Sequence, residues 1–227
     1  EAAEIARETE NRGGEALILL NLAESSTDLG RFDRARDAVD AAASLSAAAG
    51  FRRTLSQALK LRVRLAVWSG EDDDVARVAA EALSLGREIG EEQAQAEVHY
   101  ALGQLHADAG RTSAAREAFD AAAAASRSPG LEDCLVTAVL RAALLPGGDA
   151  APAMDTFRAS WPKLGCVTRV ESAWLAFRVT GDRAHLAEAW RHLLHLRDHA
   201  PEDCRVSVME NVPLHREIAA AAKEAGL

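Results

Sequence analysis

Three histidines, His192, His195 and His199, fall on one face of a helical stretch, with Asp198 beside them. Histidines four residues apart on a helix can share a metal ion, so a zinc site can be drawn there. The stretch lacks the glutamate of a His-Glu-x-x-His motif, and cationic side chains near a helix end are commonplace. The reading favoured by the residues is packed or solvent-facing histidine, with no metal. His99 and His106 are seven apart and straddle a core-facing stripe, so they read as packing residues. Asp72, Asp73 and Asp74 form an acidic run too short for a calcium loop. At a helix start, such carboxylates favour the exposed N–H groups and the positive end of the dipole. Cys134, Cys166 and Cys204 are widely spaced and contain no Cys-x-x-Cys pair. They read as small buried fillers in a reducing cytoplasm. Arg12-Gly13-Gly14-Glu15 is a glycine loop without the Gly-Lys-Ser/Thr that cradles phosphate, and no nucleophile elbow or dinucleotide fingerprint is present. The chain is therefore expected not to be an enzyme, with no catalytic residue, no metal and no cofactor.

The elements that carry these residues are announced by a glycine ruler. Gly30, Gly70 and Gly110 are 40 residues apart, and Gly50, Gly90 and Gly130 repeat the step with an offset of 20. A helix-length segment thus ends every 20 residues at the residue best able to close a helix. Within the segments, apolar residues recur at helical spacing, as in Leu55, Leu59, Val63 and Ala66, or Val98, Leu102, Leu105 and Ala109. Paired helices with a fixed period are the mark of stacked repeats. The composition agrees. Aromatic residues make up only 4% while alanine occurs in runs, which suits helices packed closely on small side chains. After Gly130 the ruler loosens, with breaks at Pro146-Gly147-Gly148, Trp161-Pro162, Gly181-Asp182, Pro201 and Pro213.

Charge narrows the partners. Twenty-six Lys plus Arg against 35 Asp plus Glu give a net charge of −9, with no basic stripe to meet phosphates or an anionic membrane. No apolar run approaches the roughly 18 to 20 residues of a membrane span. Neither nucleic acid nor membrane is expected as a partner. The chain opens on Glu1 rather than methionine, and it is expected to be part of a longer, cytoplasmic protein.

Leu102-Gly103, Gly110, Ala115, Phe119 and Ala122 resemble the tetratricopeptide pattern of small and large residues. Leu22-Ala23, Gly30, Phe32, Ala35, Val39 and Ala42 match it again, and Trp174, Phe177, Leu186, Trp190 and Leu193 follow around Gly181. The chain departs from the family in its 40-residue step against about 34, in a glycine where the closing proline stands, and in Arg62 at a normally apolar place. It is similar to the lengthened variety found in large bacterial signalling proteins. The tail from Met209 to Ile218 resembles the end of such regions after a serine/threonine kinase or ATPase module. The resemblance implies an all-α solenoid of stacked antiparallel helix pairs, a single domain over 1–227. Residues 1–11 would end a truncated repeat, 14–50, 51–90, 91–130, 131–165 and 166–200 would be helix pairs, and 203–227 would cap them.

In the family, the first helix of each pair lines a concave face. Carried across, this gives Leu17, Leu20, Glu24, Thr27 and Asp28, then Gln57, Lys60, Arg64, Val67 and Trp68, then Glu97, Tyr100, Gln104, Ala107 and Asp108. Trp68 and Tyr100 are the aromatic anchor candidates, or else packing between repeats. The function implied is a protein-interaction module that binds a peptide, a partner protein or another domain of its own parent chain. A small-molecule-sensing domain and a self-association module stay open as alternatives.

Overall fold

The computed structural model describes residue 6, residues 9–70 and residues 74–227. The expected helix start at Asp72 and Asp73, and most of the stretch 1–11, lie outside the described residues. Among the described residues the chain is all-α, with no strand. Its helices are α1 (Arg12–Asp28), α2 (Phe32–Ala49), α3 (Arg52–Ser69), α4 (Val75–Ile89), α5 (Glu92–Asp108) and α6 (Thr112–Ala125). They are followed by α7 (Glu132–Leu144), α8 (Ala150–Ser160), α9 (Cys166–Thr180), α10 (Arg183–His199), α11 (Arg205–Glu210) and α12 (Pro213–Ala225). Short 3-10 turns, Trp161–Lys163 and Glu202–Cys204, precede α9 and α11. None of the described helices is long and apolar enough to cross a membrane.

Consecutive helices pack against each other from α1 to α10, and α1, α3, α5, α7 and α9 also touch in succession. The six ruler glycines all take a left-handed φ, between 69° and 92°. The short steps between helices then need small contacts. Ala35, Ala38, Ala42 and Ala43 bury one face of α2. At Gly103 a Cβ would stand 2.4 Å from the Phe119 ring, so the glycine of the Leu-Gly pair lets Phe119 bury fully between α5 and α6. The core is correspondingly divided. One cluster joins α1, α2 and α3, a second joins α3, α4 and α5, and a third runs from α7 to α12.

Details differ from the sequence expectation where side chains find specific partners. Glu91 is the N-cap of α5 rather than part of the helix, and it is buried against Arg53, whose Nε donates to Oε2 at 2.7 Å. Arg62, the departure from the apolar pattern, spans a cleft of about 660 Å³ beside α2 and α4 and meets Asp40 at 3.0 Å. Cys204 closes a 3-10 turn and is buried.

The last elements return to the first. Ser207 Oγ donates to the Leu29 carbonyl at 2.6 Å, and Asn211 Nδ2 donates to the Gly30 carbonyl at 2.9 Å. Arg31 holds Asp203 at 2.9 Å and the Cys204 sulfur at 3.3 Å. A Cβ on Gly30 would stand 2.4 Å from the Ser207 carbonyl oxygen, so this approach of two backbones requires glycine. Leu29 also packs on the α7–α12 cluster. Segment 203–211 therefore ties the last helices to the turn between α1 and α2.

Candidate functional site

The inner faces of α1, α3, α5, α7 and α9 converge on a cavity of about 330 Å³. Of the residues expected on the binding face, Asp28, Arg64, Trp68, Glu97, Tyr100 and Gln104 line it. Lys60 lies beneath this wall with a side chain 6% exposed, and it joins Glu97 at 2.7 Å and Glu24 at 3.7 Å. Lys60 is thus an internal counter-ion, with Glu24 at the edge of the same network. Asp108 is exposed and does not reach the cavity. Leu17 is also exposed, while Leu20 and Thr27 are buried between helices, the Thr27 hydroxyl bonding the Ala23 carbonyl at 2.8 Å.

Two polar clusters shape the wall. In the first, burial pushes the Glu97 carboxyl up, but Lys60, Arg64 and a 2.9 Å hydrogen bond from Gln93 outweigh it and hold it below its ordinary value. Asp28 goes the other way. Its burial raises the carboxyl pKa and exceeds the pull of Arg64, which reaches it at only 3.5 Å. Arg64 lies over the Trp68 ring at 5.3 Å, and its buried Nε has no hydrogen-bond partner. In the second cluster, Arg141 Nη2 donates to Glu171 at 2.9 Å, and the Tyr100 hydroxyl donates to the same Glu171 oxygen while accepting from Arg141 Nε at 3.1 Å. Burial raises the phenol well above its usual range. Burial is opposed by Tyr100 and Glu171 at Arg141, which stays firmly protonated.

The aromatic candidates do both things asked of them. Trp68 faces the cavity and meets Phe32 at a 6.3 Å centroid distance, and Tyr100 faces it and packs on Phe119 at 5.8 Å. Cys134 also lines the cavity, but burial pushes its thiol up to about 12, so it carries no nucleophilic thiolate at neutral pH. The three cysteines are free. Among the described residues no group of His, Cys, Asp and Glu could hold a metal ion. His192 is buried against Trp161 at 5.7 Å, while His195 and His199 stack on each other at 4.0 Å and are exposed.

Sequence reasoning missed Thr137, Arg141 and Glu171, because the glycine ruler loosens after Gly130. A signal existed: one forty-residue step beyond Glu97 falls on Thr137, a cavity residue of α7. It also missed Val212, Leu214 and His215, which bring the returning tail into the cavity wall. No protein-family model and no curated protein matches this chain.

Proposed function

We propose that this chain is a non-catalytic interaction module of a larger bacterial signalling protein, a tetratricopeptide-like solenoid whose inner face receives a partner. The partner in this reading is a segment of another protein, or another domain of the same parent chain. The supporting observation is the convergence of Asp28, Arg64, Trp68, Glu97, Tyr100 and Gln104, from three successive odd-numbered helices, on one cavity. Such polar side chains around an aromatic pair suit the recognition of a chain segment. Photo-cross-linking from Gln104 and, separately, from Asp155 on the exposed face of α8 tests it. Capture of a protein or of the parent chain from position 104 alone supports the reading, and equal capture from both positions, or none, refutes it.

A second reading, a domain that senses a small molecule, is favoured by one specific feature. The tail residues Val212, Leu214 and His215 complete the cavity wall, and about 330 Å³ is the scale of a small-ligand pocket. A thermal shift with a metabolite collection separates the two, since a bound small molecule raises the melting temperature by mass action.

A further inference from the structure

Beside the polar cavity lies a second one of about 270 Å³, walled by apolar groups such as Leu29, Leu196, Ala200 and Val208. The two share Asp28, Trp68, Val167, Val212 and His215 as walls, so they are adjoining lobes of one inner chamber. The chamber lies on a seam. Two apolar clusters hold α1 to α5 together and a third holds α7 to α12. Among the described residues packed on the third, only Leu29 comes from before α7. Contacts of different strength close the seam on its two sides. On one side α6 packs along α7, and the Tyr100 hydroxyl of α5 is bonded to Arg141 of α7 and Glu171 of α9. These bonds involve charged groups largely shielded from water, where such bonds are strong. On the other side Ser207 and Asn211 bond two backbone carbonyls of the α1–α2 turn, and Arg31 meets Asp203 in an exposed pair. Neutral bonds and exposed ion pairs are the weaker kind. This weaker contact is also part of the chamber wall, since Leu29 lines the apolar lobe together with Val208 and Val212.

We propose that this contact is a clasp: the α1–α2 turn and segment 203–211 part while the helices on either side stay folded, pivoting about α5, α7 and α9, and a partner's chain segment enters the chamber through the gap. The proposal rests on the reading of the inner face as the binding face for a protein segment. A segment flanked by folded chain on both sides cannot be threaded end-on, so it needs a wall that parts. Openings of this kind draw on the least stable contacts of a fold, and the elements that keep their contacts serve as the pivot.

The native thiols report such an opening. Cys204 is buried at the clasp, 3.3 Å from Arg31, and Cys166 lines the apolar lobe. The whole chain is reacted with N-ethylmaleimide at neutral pH, and each cysteine is followed by peptide mass spectrometry. In Ser207→Ala/Asn211→Ala, the loss of two hydrogen bonds of ordinary worth raises the open population about tenfold or more, and both thiols are expected to react faster by that common factor. Gly30→Ala spreads the clasp from the α1–α2 side and is expected to act in the same direction, so the test survives a double variant that does not fold. Tyr100→Phe, on the pivot side, is expected to leave both rates near those of the wild type. A rise at Cys204 alone means that the tail frays without opening the chamber, and it overturns the proposal. So does a Cys166 rate that no variant moves, or a rise with Tyr100→Phe as large as with the double variant, which places the opening elsewhere. The cross-linking from Gln104 separates the proposal from the reading it rests on. Capture there without acceleration of the thiols keeps the inner face as a binding face and discards the clasp. Acceleration of both thiols without capture keeps the motion and overturns its role as an entrance.

Discussion

Substituting Lys60 with methionine should expose how the inner wall is held together. The ammonium is almost fully buried and sits 2.7 Å from Glu97, whose side chain is 27% exposed. Breaking a buried pair by removing one partner costs about 3–5 kcal/mol where burial is complete. The partial exposure of Glu97 and the neighbouring Arg64 reduce this, and about 2–3 kcal/mol is the value expected for Lys60→Met at pH 7. For a chain of this length that corresponds to a fall in Tm of roughly 5–10 °C. The double variant Lys60→Met/Glu97→Gln removes both charges and should recover most of the loss, because two neutral side chains of similar volume leave no uncompensated ion. The pH dependence has a definite sign. In the native wall Glu97 is held below its ordinary value of 4.5, so its contribution is present above that pH and is lost as pH falls through the folded value. Without Lys60, burial dominates and the carboxyl moves above 4.5. The unfolded chain then ionises more readily than the folded one at neutral pH, and the penalty shrinks as the solution is acidified toward pH 4.5. Urea unfolding of the four members of the cycle at pH 7 and pH 5 measures both effects. A coupling energy below about 0.5 kcal/mol, or a Lys60→Met penalty that does not change with pH, would refute the idea that the pair is a buried, mutually dependent unit.

Three other perturbations test separate parts of the fold. Gly30→Ala places a Cβ 2.4 Å from the Ser207 carbonyl oxygen at a φ of +69°, so it should cost about 1–3 kcal/mol and speed amide hydrogen exchange in segment 203–211; unaltered exchange there argues against the contact. His215 is held below its ordinary value by burial, with the Val208 carbonyl and Glu171 opposing. Its contribution to stability is therefore lost as pH falls below 6.5 toward the folded value, with a slope of at most about 1.4 kcal/mol per pH unit. Protonation of Asp28 has the opposite sign, so the quantity to measure is the difference between wild type and His215→Gln across pH 5.5–7, which should narrow as pH falls. Ser172 is fully buried with no hydrogen-bond partner for its hydroxyl, and Ser172→Ala should raise stability by about 1 kcal/mol in urea unfolding.

The parts of the molecule that could be read from sequence are those set by local chemistry. A glycine at C′ or the C-cap closes α1 to α5, α9 and α12, and a helical stripe of alanine, leucine and valine sets the side they bury, whereas α6 is capped at Ser126, four residues before Gly130. The residues that the tetratricopeptide resemblance carried across to the first three odd-numbered helices include Asp28, Arg64, Trp68, Glu97, Tyr100 and Gln104, and these six line one cavity. Depth was harder to read than direction. Lys60 has the same helical address as an exposed lysine, and only the simultaneous presence of Glu24 and Glu97 on the flanking helices makes its burial tolerable. Arg62 illustrates the same point on the other side, where Asp40 of the preceding helix supplies its partner. The return of the tail was not legible at all. Ser207 and Asn211 recognise backbone carbonyls of Leu29 and Gly30, and a carbonyl leaves no trace in the identity of the residue that bears it.

That return has an energetic consequence for any reading of the chamber. Its polar contacts are two neutral hydrogen bonds and the contacts of Arg31 to the Cys204 sulfur and to Asp203, the Arg31 and Asp203 side chains being 36% and 73% exposed. Each of the former is worth about 1 kcal/mol net and the latter well under that. The burial of Leu29 against the last cluster adds about 1–2 kcal/mol more, from the transfer of its apolar surface out of water. Closure is thus worth roughly 3–5 kcal/mol before the entropy of joining the two ends is subtracted, and loop closure rises only slowly with the length between them. The remainder is small compared with the burial that holds each helix pair to the next. Asp28 stands at the end of α1, one residue before Leu29, while Val212 and His215 belong to the tail, and all three wall both lobes. An occupant touching both sides binds the closed form better than the open one. By linkage it must then tighten the contact between the α1–α2 turn and the last helices by the same free energy.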